Sequence, residues 1–171
     1  SSDAAFTLLA LNKMFGLSLD VPVLKEYALM IGSDCPFFIL NQPSLATGRG
    51  EQLEPLHVDL SGYTIVLVLP GIMVDTAMAY KMIIPEEKGP AVKEVIRLAP
   101  EEWNGRLVNH FELPVIEKYP EIGGFKQALY DSGAVYASMS GSGSAVFGLF
   151  RDTPDLPAEI NRCPLYIERF S

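Results

Sequence analysis

Three short stretches of this chain carry residue types suited to chemistry: Ser1-Ser2-Asp3, Asp34 within GSDCP, and SMSGSGSAVF at 138–147. Ser1 and Ser2 are N-cap types, and Asp3 complements the positive end of a helix dipole. The first turn of a helix leaves backbone N–H groups unpaired, so it seats an anion when a glycine-rich turn precedes it. Two readings stay open there: a capped core helix, or the back half of a phosphate loop. Asp34 follows a helix stop at Gly32 and precedes Pro36, which holds its carboxylate on a constrained turn. It serves either as a turn or capping residue or as a general base within reach of a substrate hydroxyl. In the third stretch Gly141 and Gly143 alternate with Ser140, Ser142 and Ser144. Such a segment is either a hairpin turn of small residues or a loop that presents N–H and hydroxyl groups to a ligand. His57 and His110 have no neighbouring Cys, Asp or Glu that completes a metal or triad spacing, and no metal ligand is assigned.

The elements that must position these residues follow from periodicity and punctuation. Ala4, Leu8, Leu11 and Phe15 recur at helical spacing and Gly16 stops the run. Asp20 and Pro22 open a second helix with Leu24, Tyr27, Ala28 and Ile31 on one side, ended by Gly32. GSDCPFFIL follows, and then SLATGRGEQLEPLHVDL, turn-rich and extended, punctuated by Gly48 and Gly50. Residues 63–69, YTIVLVL, are apolar almost throughout, as a strand buried on both faces requires. Helices are then expected from Thr76 as N-cap through AMAYKMI, over PAVKEVIRLA from Pro90, over EEWNGRLVNHFE, and over FKQALYDSG up to Gly133. AVYASM and AVFGLF form two strands around SGSGS, and LYIERF forms a last strand. The pattern predicts an α+β sandwich with helices on one face of an antiparallel sheet, and a boundary between about residues 55 and 62.

With 171 residues, 49% of them hydrophobic, the chain has ample material for one good core or two small ones. Its net charge of −8 provides no basic stripe for nucleic acid. An anionic ligand must therefore be held by helix ends and backbone amides. Cys35 and Cys163 make neither a disulfide framework nor a CxxC pair, so a reducing cytoplasm is expected. The longest apolar run, YTIVLVLPGIMV, is too short to span a bilayer and is broken by Pro70 and Gly71, so no membrane partner is expected.

In order, SSDAA, GSDCPFF, GRGE, LPGIMVDTAMAY and SGSGSAVF resemble the carboxyl-terminal portion of the 4-diphosphocytidyl-2-C-methyl-D-erythritol kinase family, a branch of the GHMP-type kinases. The resemblance runs from residue 1 to about 150. It implies a fold in which 1–58 is a remnant of a ribosomal-protein-S5-like amino-terminal ATP-binding lobe and 59–171 is a ferredoxin-like carboxyl-terminal lobe. It also implies an activity: ATP-dependent, Mg²⁺-assisted phosphorylation of the 2-hydroxyl of a cytidine diphosphate derivative in non-mevalonate isoprenoid biosynthesis. By the same resemblance Asp34 is the catalytic aspartate, Ser1 and Ser2 meet the ATP phosphates, and Tyr80 stacks on the cytosine with Thr76 in the same wall. Gly141, Ser142 and Gly143 resemble the third glycine motif, which more often reads Gly-Thr-Gly-Ala. The amino-terminal half, with the family's catalytic lysine and most of the glycine loop, has no counterpart here. The chain is then expected to be a fragment that is inactive alone. A kinase for mevalonate, homoserine or a sugar, and a non-catalytic α+β metabolite-binding module, are the alternatives.

Overall fold

The computed structural model describes residues 1–83 and 91–171. The chain divides into two compact units, Ser1–Val58 and Asp59–Ser171.

In the first unit, helix α1 spans Ser2–Met14, α2 spans Val21–Ile31 and α3 spans Cys35–Leu40, followed by a two-stranded hairpin of β1 (Ser44–Thr47) and β2 (Gln52–Pro55). Asp20 caps α2, its Oδ1 accepting from Val23 N at 3.1 Å, and Pro22 sits in the first turn, where its missing N–H costs nothing. Ala5, Leu24, Ala28, Cys35 and Ile39 form the core of the unit, with Leu8, Leu9, Leu19 and Phe38 against it. The buried stripe of α1 thus runs through Ala5, Leu8 and Leu9. Leu11 and Phe15, expected inside, are exposed, as are Tyr27 and Ile31 of α2. One reason is Asn12, which takes a place on the inner face: its carboxamide donates to Leu19 O and accepts from Leu19 N, both at 3.0 Å, tying α1 to the following loop. The helix α3 forms in GSDCPFFIL, a stretch to which the periodicity assigns no element, because Pro36 pre-sets its first turn and Cys35, Pro36 and Ile39 turn inward together.

The second unit contains β3 (Thr64–Val68), α4 (Thr76–Met82), α5 (Val92–Val95), a 3₁₀ turn (Pro100–Glu102), α6 (Glu112–Lys118), α7 (Pro120–Asp131), β4 (Tyr136–Met139), β5 (Val146–Phe150), α8 (Ala158–Asn161) and β6 (Leu165–Arg169). The strands form one antiparallel sheet in the order β4-β5-β3-β6. This is the ferredoxin-like arrangement, in which the first and third strands lie in the middle. Along β3, Thr64, Val66 and Val68 are buried and alternate with half-buried residues, so one face of this central strand is drier than the other. Val66, Val68, Val146 and Met139 pack with Val115, Ile122, Leu129 and Ile160 from the helices.

Several local expectations change. Asp75, not Thr76, caps α4: its Oδ1 accepts from Met78 N at 3.1 Å, and Thr76 is the first helical residue. The EEWNGRLVNHFE segment is a 3₁₀ turn and loop rather than a helix. Trp103 is pulled out of register with any helical face because its indole donates to Leu98 O at 3.0 Å and its ring meets Tyr136 edge-on at 5.5 Å. The following helix instead begins at Glu112. The helix start predicted at Pro90 lies outside the described residues.

Candidate active site

The site residues fall in both units. In the first, Ser1 is the N-cap of α1 without a side-chain capping bond, and its carbonyl accepts from Ala5 N at 3.1 Å. Ser1 is exposed and Ser2 half-buried. The hydroxyls and first-turn N–H groups of α1 are therefore not consumed by a cap. Asp34 is the N-cap of α3, exposed, and its carboxylate makes no capping bond either. What shapes its surroundings is the Gly48–Glu51 turn. Glu51 Oε2 accepts from Arg49 N at 2.6 Å, and its carboxyl is held below the usual value by the backbone N–H groups of Glu51 and Arg49. That turn places Gly50, at φ +107°, so close to the aspartate that a Cβ there would sit 3.1 Å from Asp34 Oδ1. The GRGE turn and Asp34 are one local structure.

In the second unit, the strands β4 and β5 are joined by the Gly/Ser loop. Gly141 and Gly143 adopt φ +56° and +92°, values that side chains resist, and a Cβ on Gly143 would meet Met139 Sδ at 2.8 Å. Ser140 N donates to Ala145 O and Gly143 N to Ser140 O, closing the turn. The amides of Gly141 and Ser142 take no partner among the described residues. Ser142 Oγ lies 3.2 Å from Thr76 Oγ1, so two residues singled out from sequence meet. Tyr80, one turn further along α4, is 66% exposed. Its ring is held by an edge-to-face contact with Phe111, centroids 4.9 Å apart, which leaves a face open for stacking.

Sequence reasoning missed two residues here. Asn109 Nδ2 donates to the carbonyls of Met139 and Gly141, each at 2.8 Å. Glu112 Oε1 accepts from Ser138 Oγ at 2.9 Å and Met139 N at 2.6 Å, while its Oε2 pairs with Lys126 at 2.5 Å. Glu112 thereby occupies an N–H on the outer side of the edge strand β4, and Tyr130 OH occupies the Ala137 carbonyl at 3.1 Å. The only sequence signal was an Asn and a Glu three apart ahead of an apolar run, the spacing of a helix start. Among the described residues no group of three or more His, Cys, Asp or Glu is placed to hold a metal ion.

Residues 88–164 match the family described as GHMP kinases C terminal. The chain carries a GHMP kinase C-terminal domain. A 4-diphosphocytidyl-2-C-methyl-D-erythritol kinase from Parabacteroides distasonis is 48% identical over 150 residues, which are 88% of this chain and 55% of that protein. The chain thus spans about half the length of such curated relatives. Among solved structures, a 4-(cytidine 5'-diphospho)-2C-methyl-D-erythritol kinase superposes with a TM-score of 0.73 at 30% identity, over 96% of this chain and 62% of that one. The homoserine kinase from Cytophaga hutchinsonii superposes at 0.58 with 15% identity, over 94% and 61% of the two chains, a likeness of fold alone. The Gly/Ser loop, Asn109 and Glu112 all fall inside the matched GHMP domain, whereas Asp34, Thr76 and Tyr80 precede it.

Proposed function

We propose that this chain is part of an ATP-dependent kinase that phosphorylates the 2-hydroxyl of 4-diphosphocytidyl-2-C-methyl-D-erythritol, a cytoplasmic step of non-mevalonate isoprenoid precursor synthesis. The observation that carries the reading is the Gly/Ser loop: two positive-φ glycines, with the Gly141 and Ser142 amides unpartnered among the described residues, in the same unit as the exposed Tyr80 ring and in a chain similar to kinases of this substrate. Free backbone amides on a glycine turn suit phosphate oxygens in a chain whose net charge is −8. An exposed aromatic ring steadied by an edge-to-face contact suits a cytosine.

In this reading Ser1–Val58 is the end of an ATP-binding lobe, and Ser1 and Ser2 offer hydroxyls and first-turn N–H groups to the phosphates. Asp34 accepts the proton of the attacking hydroxyl as its oxygen bonds to the γ-phosphorus and ADP leaves. Its exposed, uncapped carboxylate is free for that task, and Gly50 leaves room beside it. Thr76, Gly141, Ser142 and Gly143 contact the substrate. Mg²⁺, when bound, would neutralise phosphate charge.

The test is a kinase assay on the full-length protein with 4-diphosphocytidyl-2-C-methyl-D-erythritol, mevalonate and homoserine as acceptors. Turnover of the first alone, inhibited competitively by cytidine nucleotides, supports the reading. Turnover of mevalonate or homoserine instead, or binding without turnover, replaces it.

A further inference from the structure

The segment 109–112 has no part in the chemistry above, yet it touches Gly141 of the Gly/Ser loop, the Tyr80 ring and the end of β4. The Asn109 carboxamide is fully engaged: both amino hydrogens go to carbonyls that flank Ser140, and Oδ1 accepts from Phe111 N at 2.9 Å. A flipped amide would face oxygen with oxygen, so the orientation is set by the network. Next along the chain, the Phe111 ring holds Tyr80, and Glu112 holds the end of β4 from which the loop springs. Because the two accepting carbonyls are turned toward Asn109, the loop's conformation is defined before any ligand arrives.

We infer that Asn109 is a positioning residue that presets the 140–144 loop for its ligand, with Glu112 anchoring the strand beneath it. For activity the inference rests on the kinase reading; for geometry it stands apart. Preorganised donors cost no reordering on binding, so loosening them weakens the site even when the fold is intact.

The decisive variant is Asn109→Asp in the full-length protein. It keeps the shape and the acceptor for Phe111 N but loses both donors. Hydrogen exchange at Ser140 and Gly143 should quicken at least about tenfold while Val146–Phe150 stay protected. Acceptor-substrate kcat/KM should fall at least about tenfold with ATP KM within about twofold. Asn109→Ala, which removes the donors without adding charge, should do the same if the aspartate proves too disruptive to fold. Unchanged loop exchange, or a loosened loop with kcat/KM within about twofold of wild type, overturns the inference. A wild-type protein without kinase activity sinks the kinase reading instead, and the exchange rates then decide the role of Asn109 alone.

Discussion

Thr76 Oγ1 and Ser142 Oγ lie 3.2 Å apart, a hydroxyl pair that ties the first turn of α4 to the Gly/Ser loop. Asp75 performs the capping of α4, so Thr76 is spared for this contact. The pair is exposed, and its net worth to the fold is small, on the order of 0.5 kcal/mol. Thr76→Val and Ser142→Ala should each leave the urea midpoint nearly unchanged, and a double-mutant cycle should show coupling in substrate KM. Strictly additive KM effects would mean that the contact does not shape the site.

Replacing Asp34 by Asn in the full-length protein keeps the side chain's size and removes its basicity. Turnover is expected to fall by orders of magnitude with ATP affinity little changed. Near-normal turnover removes Asp34 from the mechanism.

Tyr80 is mostly exposed, so truncation to Ala should cost little stability. Stacking on a base is worth about 1–3 kcal/mol, which corresponds to a rise in acceptor-substrate KM of roughly tenfold to a hundredfold with kcat preserved. A rise confined to ATP KM would place the cytosine elsewhere.

Gly143→Ala forces a side chain into φ +92° against the buried Met139. A loss of about 1–3 kcal/mol in unfolding free energy is expected, visible as a lower midpoint with an unchanged denaturant slope. An unaltered midpoint would show that the loop relaxes freely.

Tyr136 is buried, donates its hydroxyl to Leu107 O at 2.9 Å, and has its pKa pushed up to about 12, chiefly by burial. Between the unfolded value near 10 and this folded value, the unfolded chain loses the phenolic proton while the folded chain keeps it. Stability is therefore full below pH 10 and falls as pH rises toward 12, by roughly 2–3 kcal/mol from this group. Tyr136→Phe should flatten that part of the curve; an equal slope in both proteins would assign the loss to other groups.

Much of the local structure was legible from adjacent residues. Asp20 and Pro22 announce α2, the run at 63–69 announces a strand, although only one face of β3 is fully buried rather than both, and alternating Gly and Ser announce a turn between β4 and β5. These signals work because capping, proline geometry and positive φ are settled within a few residues. The motif order also pointed to Asp34, Thr76, Tyr80 and the Gly/Ser loop as residues to look at.

Tertiary structure alone decided the rest. Which stripe of α1 is buried depended on Asn12 reaching Leu19, and the loss of a helix around Trp103 depended on that ring meeting Tyr136. Asn109 and Glu112 meet the carbonyls and amide of Met139 and Gly141 only after β4 is laid along the sheet edge. A side chain that satisfies a distant backbone group carries no mark of its partner in the residues beside it. Sequence settles the conformations that neighbours enforce, and only the folded sheet settles which far-off polar groups are left to be paired.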